Sequence, residues 1–437
     1  MKTINAANKK NTVMAWIKCL MLCVVIILPA RCFTEYSLPL FQVDSNLSVQ
    51  YINLVDAAVI LVALFFMVTS RLFVFDSKIL LVTGAFAMVN AVMLLGLFLT
   101  GQAEYAGELI SKTILVGCAG ITVYSIDSFT GKQKASVYVI SITILITAAF
   151  FLSDYEGYAL LRRAGSLGFG SNETACFACA LLAIALFVTD WNGWLRLGSA
   201  VLSGASVLFV ASRRGVILWV AILVVWIIYL IFKRKRSRVA VTTFFAVLIV
   251  AAVALFLFYR NFNTIVDWID TSRFFHRLRV AETYYSNYFL DFSDRREILE
   301  NSFAFFGDHL IFGSFGCDKV IAQGALTHSH NILLQYIITY GTVFGTAIAV
   351  FVLVSFFQAI RLTVYYLRRG GIGFGAVTSL FFIVYFLFDS LGYLLWNPKG
   401  VFWIWLTIFF IQIEYKKTFS HEAERSIDGQ TAQAEEG

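Results

Sequence analysis

The chain has 437 residues, 59% of them hydrophobic and only 14% charged, whereas a soluble domain carries about 25% charged residues. That balance excludes a soluble globular protein and predicts a polytopic membrane protein. The formal net charge of +7 is not a sign of nucleic-acid binding, because the basic residues sort by membrane side.

Backbone polar groups in hydrocarbon must be satisfied internally, so continuous apolar runs predict helices. A membrane β-barrel would need short alternating segments instead. Lys2, Lys9 and Lys10 precede the first run, 13–30, which lacks a clear small-x-small cleavage site and reads as an uncleaved span. Further runs follow at 52–69, 79–100, 109–126, 135–152, 173–189, 195–211, 215–232 and 239–259. A polar insert occupies about 260–330, and three more runs lie at 332–357, 372–391 and 400–414. The expected fold is all-α: about 12 transmembrane helices in one domain over 1–414, with the large loop inserted in it. Residues 415–437, with Glu422, Glu424, Glu435 and Glu436, read as a disordered cytoplasmic tail.

Short connections set the orientation. With the N-terminus inside, the inner segments hold Arg71 and Lys78, Lys132 and Lys134, Arg196, the cluster 233–238, Arg361, Arg368 and Arg369, and finally Lys416 and Lys417. Both termini are then cytoplasmic and the insert is external, in the periplasm of a two-membrane cell. The seven cysteines lie mostly within apolar runs and read as small buried hydrophobes, the Cys176-x-x-Cys179 pair included.

The outer side should be poor in basic residues, yet arginines gather there. Arg162 and Arg163 precede Gly165, Gly168, Gly170, Asn172 and Glu173. Arg213 and Arg214 sit between two runs and are followed by Gly215. Arg273, Arg277, Arg279, Arg295 and Arg296 lie in the insert, which holds a single lysine, Lys319. Snorkelling to the headgroups would account for any one of them. As a set, arginine used almost without lysine points to bidentate binding of phosphate, which a point charge cannot supply.

His328 and His330 stand two apart in Thr327-His328-Ser329-His330-Asn331, a polar turn entering a helix. A capping turn, with Ser329 or Asn331 accepting free N–H groups, would explain the segment. General-base work by a histidine is the alternative. A metal pair would want i,i+4 spacing. The chain has no GxxxxGK[ST] loop and no Asp-x-Asp, so ATP and metal-bound nucleotide sugars are not expected. An already activated, lipid-linked donor would supply the energy of any transfer.

Four motifs, in order, resemble the O-antigen ligase and polymerase superfamily of bacterial membrane glycosyltransferases. They are Arg163-x-Gly165 with Gly170-Ser-Asn172-Glu173-x-Ala175, Ala211-Ser212-Arg213-Arg214-Gly215, Arg295-Arg296-Glu297-Ile298-Leu299 with Asp308-His309 and Gly313-Ser-Phe-Gly316, and His328-Ser329-His330-Asn331 with Gly341. Two departures are Phe344 in place of a glycine, with Gly345 one place later, and Leu310 where proline is usual. The resemblance implies a donor glycan on undecaprenyl diphosphate, and a glycan or lipid A-core acceptor, at the outer face of the bacterial inner membrane. It also implies membrane lipids, flippase and chain-length regulator proteins as partners, and no nucleic acid. Arg213, Arg214, Arg295, Arg296 and Arg163 would hold the diphosphate. His330, or else His328, would be the catalytic base. Asn331, Asn172, Glu173, Gly215 and Gly341 would support them, and His309 would be structural. No cofactor and no metal are implied, since the arginines supply the positive charge. A polymerase of lipid-linked repeat units is the expected activity. A ligase moving finished chains to lipid A-core is the nearest alternative, and a flippase or transporter a more distant one.

Overall fold

The structure is a computed structural model that describes residues 13–23, 59–69, 77–126, 129, 131–152, 171–187, 193–209, 212–233, 293–317, 331–369, 374–390, 402 and 404–419. Among these, every element is helical and no strand occurs. The helices are α1 (Val13–Cys23), α2 (Val59–Thr69), α3 (Ser77–Leu99), α4 (Ala106–Ser125), α5 (Gly131–Leu152), α6 (Ser171–Phe187), α7 (Gly193–Phe209) and α8 (Arg213–Lys233). Beyond them lie α9 (Ser293–Asp308), α10 (Ile332–Arg369), α11 (Phe374–Ser390) and α12 (404–419). A 3-10 turn, Ala103–Tyr105, leads into α4. Every expected apolar run coincides with one of these helices in whole or part, except 239–259, which lies outside the described residues.

Ser77–Leu99, Ala103–Ser125 and Ile332–Arg368 are long and apolar enough to cross a bilayer, and several shorter helices are equally apolar. The exposed residues tell the same story. Leu81, Met88, Leu95 and Leu99 of α3 are 72%, 73%, 60% and 78% exposed, a face that water would not tolerate and lipid would. This is a helical membrane protein.

The chain divides into two compact units, residues 1–144, 188–190 and 292–437, and residues 145–187 and 191–291. No Pro- or Gly-rich linker marks any of the four crossings, and one boundary falls inside α5, so a single domain over 1–414 is what composition alone suggests.

In the first unit, α3 packs on α4, and α10 packs on α11. Trp405 of α12 joins the pairs, with its ring 5.1 Å from Phe86 of α3 and 5.8 Å from Phe351 of α10. Tyr138 of α5 is fully buried; it meets Phe381 and Phe410 edge-on and shares a 3.2 Å hydrogen bond with Thr407. At one end, Gly120 lies against Ile79, Thr83 and Phe409. Further along, Arg361 donates to the Tyr415 hydroxyl and its guanidinium lies 4.2 Å over the Phe419 ring. Those contacts carry α12 as helix to residue 419, beyond the expected start of the tail at 415. Residues 420–437 lie outside the described residues.

The second unit is built on α6. Every residue of Thr174–Phe187 is buried, and the small Ala175, Ala178, Cys179 and Ala183 let neighbouring backbones approach closely. Ser203 of α7 donates to the Ala178 carbonyl at 2.7 Å, and Phe187 meets Tyr229 of α8 at 5.8 Å. The start of α6 meets the start of α8, so these two helices are parallel and α7 runs against them.

Candidate functional site

In the second unit the first turn of α6 and the first turn of α8 come together. Ser212 caps α8: its Oγ accepts from the Gly215 N–H at 3.3 Å and its carbonyl from the Val216 N–H at 3.0 Å. Arg213 and Arg214 therefore form the first turn of α8. Arg214 is 9% exposed; Arg213 is described by its backbone alone. Gly215 is needed for packing. A Cβ there would stand 2.8 Å from Ala175 Cβ, 3.2 Å from Val207 and 3.3 Å from Ser212. Cys179 Sγ donates to the Gly215 carbonyl at 3.4 Å, so this cysteine of the CxxC pair is a buried packing group. The contact with Ala175 brings the first turn of α6, which carries Asn172 and Glu173 on its backbone, to the arginine turn.

Two positive side chains in the first turn of a helix stand where the helix end is itself electropositive. Left alone, each such placement costs about 0.3–1 kcal/mol. A positive helix end that also carries guanidinium groups is suited to an anion.

In the first unit the Gly313–Gly316 turn of the third motif meets Gly341 of the fourth. Arg295 and Arg296 lie in the first turn of α9, again with the backbone alone described. His309 follows α9, its ring stacked 4.2 Å on Phe305 and its Nδ1 3.1 Å from the Phe305 carbonyl. The chain then turns through Gly313 and Gly316, both with positive φ, and lies against α10. There α10 is broken: Gly341 has φ 76° and ψ 179°, which only glycine adopts readily.

The break exchanges backbone partners. In a continuous helix the Ile338 and Thr339 carbonyls would accept from Thr342 and Val343. Here Ile338 accepts from the Ser314 N–H at 3.1 Å and Thr339 from the Gly316 N–H at 2.8 Å, while the Thr342 N–H donates to Leu310 at 2.8 Å. A Cβ on Gly341 would collide with the Ile311 carbonyl, and one on Gly313 with that of Ile338. The departure at Gly345 fits the same break, since a Cβ at 345 would strike the Tyr336 carbonyl. Asn331 caps the arm of α10 that precedes the break, 332–340, its Oδ1 accepting from the Leu333 and Leu334 N–H groups at 3.0 Å each.

One ion pair here has only a faint signature in the sequence. Lys112 and Glu108 of α4 are 6% and 8% exposed and 2.9 Å apart, and Lys112 Nζ also donates to the Gly316 carbonyl at 2.9 Å. A lysine within an apolar run was the available signal. Its i,i+4 spacing from Glu108 instead suggests an ordinary solvated face.

Of the remaining expected residues, Arg163, His328 and His330 lie outside the described residues. Arg213, Arg214, Gly215, Asn172 and Glu173 belong to one unit, and Arg295, Arg296, Asn331 and Gly341 to the other. No protein-family model matches the chain, and no curated protein matches it.

Proposed function

We propose that the protein is a bacterial inner-membrane glycosyltransferase of surface-polysaccharide synthesis, which polymerises undecaprenyl-diphosphate-linked repeat units at the periplasmic face. The observation that carries this reading is the arginine pair in the capped first turn of α8, held against the turn bearing Asn172 and Glu173. A helical membrane protein with guanidinium groups on an electropositive helix end is suited to a lipid-borne diphosphate. A second arginine pair, Arg295 and Arg296, lies in the first turn of α9.

In this reaction an acceptor sugar hydroxyl attacks the anomeric carbon of the donor glycan. The new C–O bond forms as the bond to the diphosphate breaks, and undecaprenyl diphosphate leaves with the bonding electron pair. Arg213 and Arg214 stabilise the charge on that leaving group. His330 takes the proton of the hydroxyl. Asn331, next to it in sequence, caps the start of α10.

The test is purified protein in nanodiscs, given undecaprenyl-diphosphate repeat units without added metal. Wild type is expected to build a ladder of chains. Arg213→Ala and His330→Ala are each expected to lower its rate on the order of 100-fold or more. Transfer that appears only when lipid A-core is supplied would make the protein a ligase. No reaction with either acceptor would end the glycosyltransferase reading.

A further inference from the structure

Two lengths of helix place one turn of the insert at a definite depth. On α3, Gly96 is covered by the Phe315 ring and stands about 27 Å along the helix from Lys78. On α10, Thr342 bonds Leu310 and stands about 29 Å along the helix from the exposed Arg361. Both lengths start from the same end of the unit. Gly120 touches Ile79 and Phe409 together, and α12 continues from Phe409 to Tyr415, which accepts from Arg361. Each length matches the hydrocarbon thickness of a bilayer, about 30 Å. Residues 310–316 therefore stand at the hydrocarbon edge opposite the basic end.

At that edge the turn shows lipid-like side chains outward. Leu310, Ile311 and Phe312 are 50%, 65% and 39% exposed, and Val343, next to the Thr342 that bonds Leu310, is 68% exposed. They continue the apolar face of α3, where Phe98 and Leu99 lie just past Gly96. The Phe312 and Phe315 rings stack at 5.9 Å, linking the outward turn to the contact with Gly96. Facing water, such a run would be a liability; at the boundary of a span it is an anchor.

We propose that the 310–312 turn inserts into the leaflet opposite the basic end, its side chains among lipid acyl chains, and so fixes the end of α9 at the membrane surface. This rests on the membrane reading and not on the proposed transfer reaction.

The experiment places the photo-crosslinker benzoylphenylalanine at Ile311, or at Phe312 as a second variant, in full-length protein. The protein is reconstituted in phosphatidylethanolamine–phosphatidylglycerol nanodiscs, irradiated and analysed by mass spectrometry. Position 350, an exposed valine in mid-α10, serves as the lipid control, and position 300, an exposed glutamate on α9, as the aqueous control. Lipid adducts at 311 or 312 are expected at the yield of position 350 and on the order of tenfold above position 300. Yields at both turn positions equal to that of position 300 would overturn the proposal. Covalent dimers in place of lipid adducts would overturn it too, by giving the patch to a second copy of the chain.

Discussion

Lys112 Nζ donates to the carbonyl oxygen of Gly316 at 2.9 Å across 204 residues of sequence, while it is paired at the same distance with Glu108. One lysine thus ties the α3–α4 hairpin to the 310–316 turn of the insert. Removing it leaves Glu108 buried without its counter-charge. Lys112→Met is expected to cost about 3–5 kcal/mol, read as a loss of thermal stability in detergent. Lys112→Met with Glu108→Gln is expected to recover part of that loss. A double variant no better than the single one would show that the Gly316 bond, rather than the charge pair, carries the effect.

The α10 break makes a sharper prediction. Gly341→Ala meets both a φ that alanine avoids and the Ile311 carbonyl, so it is expected to destabilise by on the order of 3 kcal/mol. Gly84 of α3 has open space around it, and Gly84→Ala is expected to stabilise by about 0.5–1 kcal/mol. Melting curves for the two variants should move in opposite directions.

At α8, packing and chemistry should separate. Gly215→Leu drives a side chain into Ala175 and Val207 and is expected to destabilise by about 1–3 kcal/mol. Arg213→Ala, which relieves a like-charged helix end, is expected to leave the melting temperature unchanged or slightly raised while transfer is lost. Equal thermal losses in both variants would mean that Arg213 is structural.

Asn331 supplies two hydrogen bonds to the first turn of α10. Asn331→Ala is expected to cost about 1 kcal/mol and Asn331→Asp almost nothing, by the same melting measurement. Transfer activity surviving in Asn331→Asp but not in Asn331→Ala would assign Asn331 a positioning role through its cap.

Helix positions were legible because the apolar runs are continuous and nearly every one stops within a few residues of a polar connection. The full length of α10 was not, because the run from 332 loses its apolar signal near 357 while the helix continues to Arg369 on ring and polar contacts with α11 and α12. The order of the motifs could be read, but their pairing could not. That pairing depends on α6 and α8 running parallel, which the small residues of α6 permit without announcing. Lys112 and Glu108 were hidden for a related reason, since their spacing on a helix is common on solvated faces and only the packed Gly316 carbonyl distinguishes them. Gly341 was noticed by resemblance, yet nothing in the order of residues reveals that the helix breaks there and gives its backbone partners to residues 310–316.

That exchange of partners has a hereditary consequence. Residues 309–317 complete the hydrogen bonding of 338–342, so neither stretch is whole without the other. A recombinant chain that inherits 332–369 from one parent and 309–317 from another must match three backbone bonds and two glycine contacts at once. A crossover outside 309–343 carries them intact. The viable unit of exchange between such proteins is therefore the turn, the histidine segment and the 332–340 arm of α10 together, as one cassette.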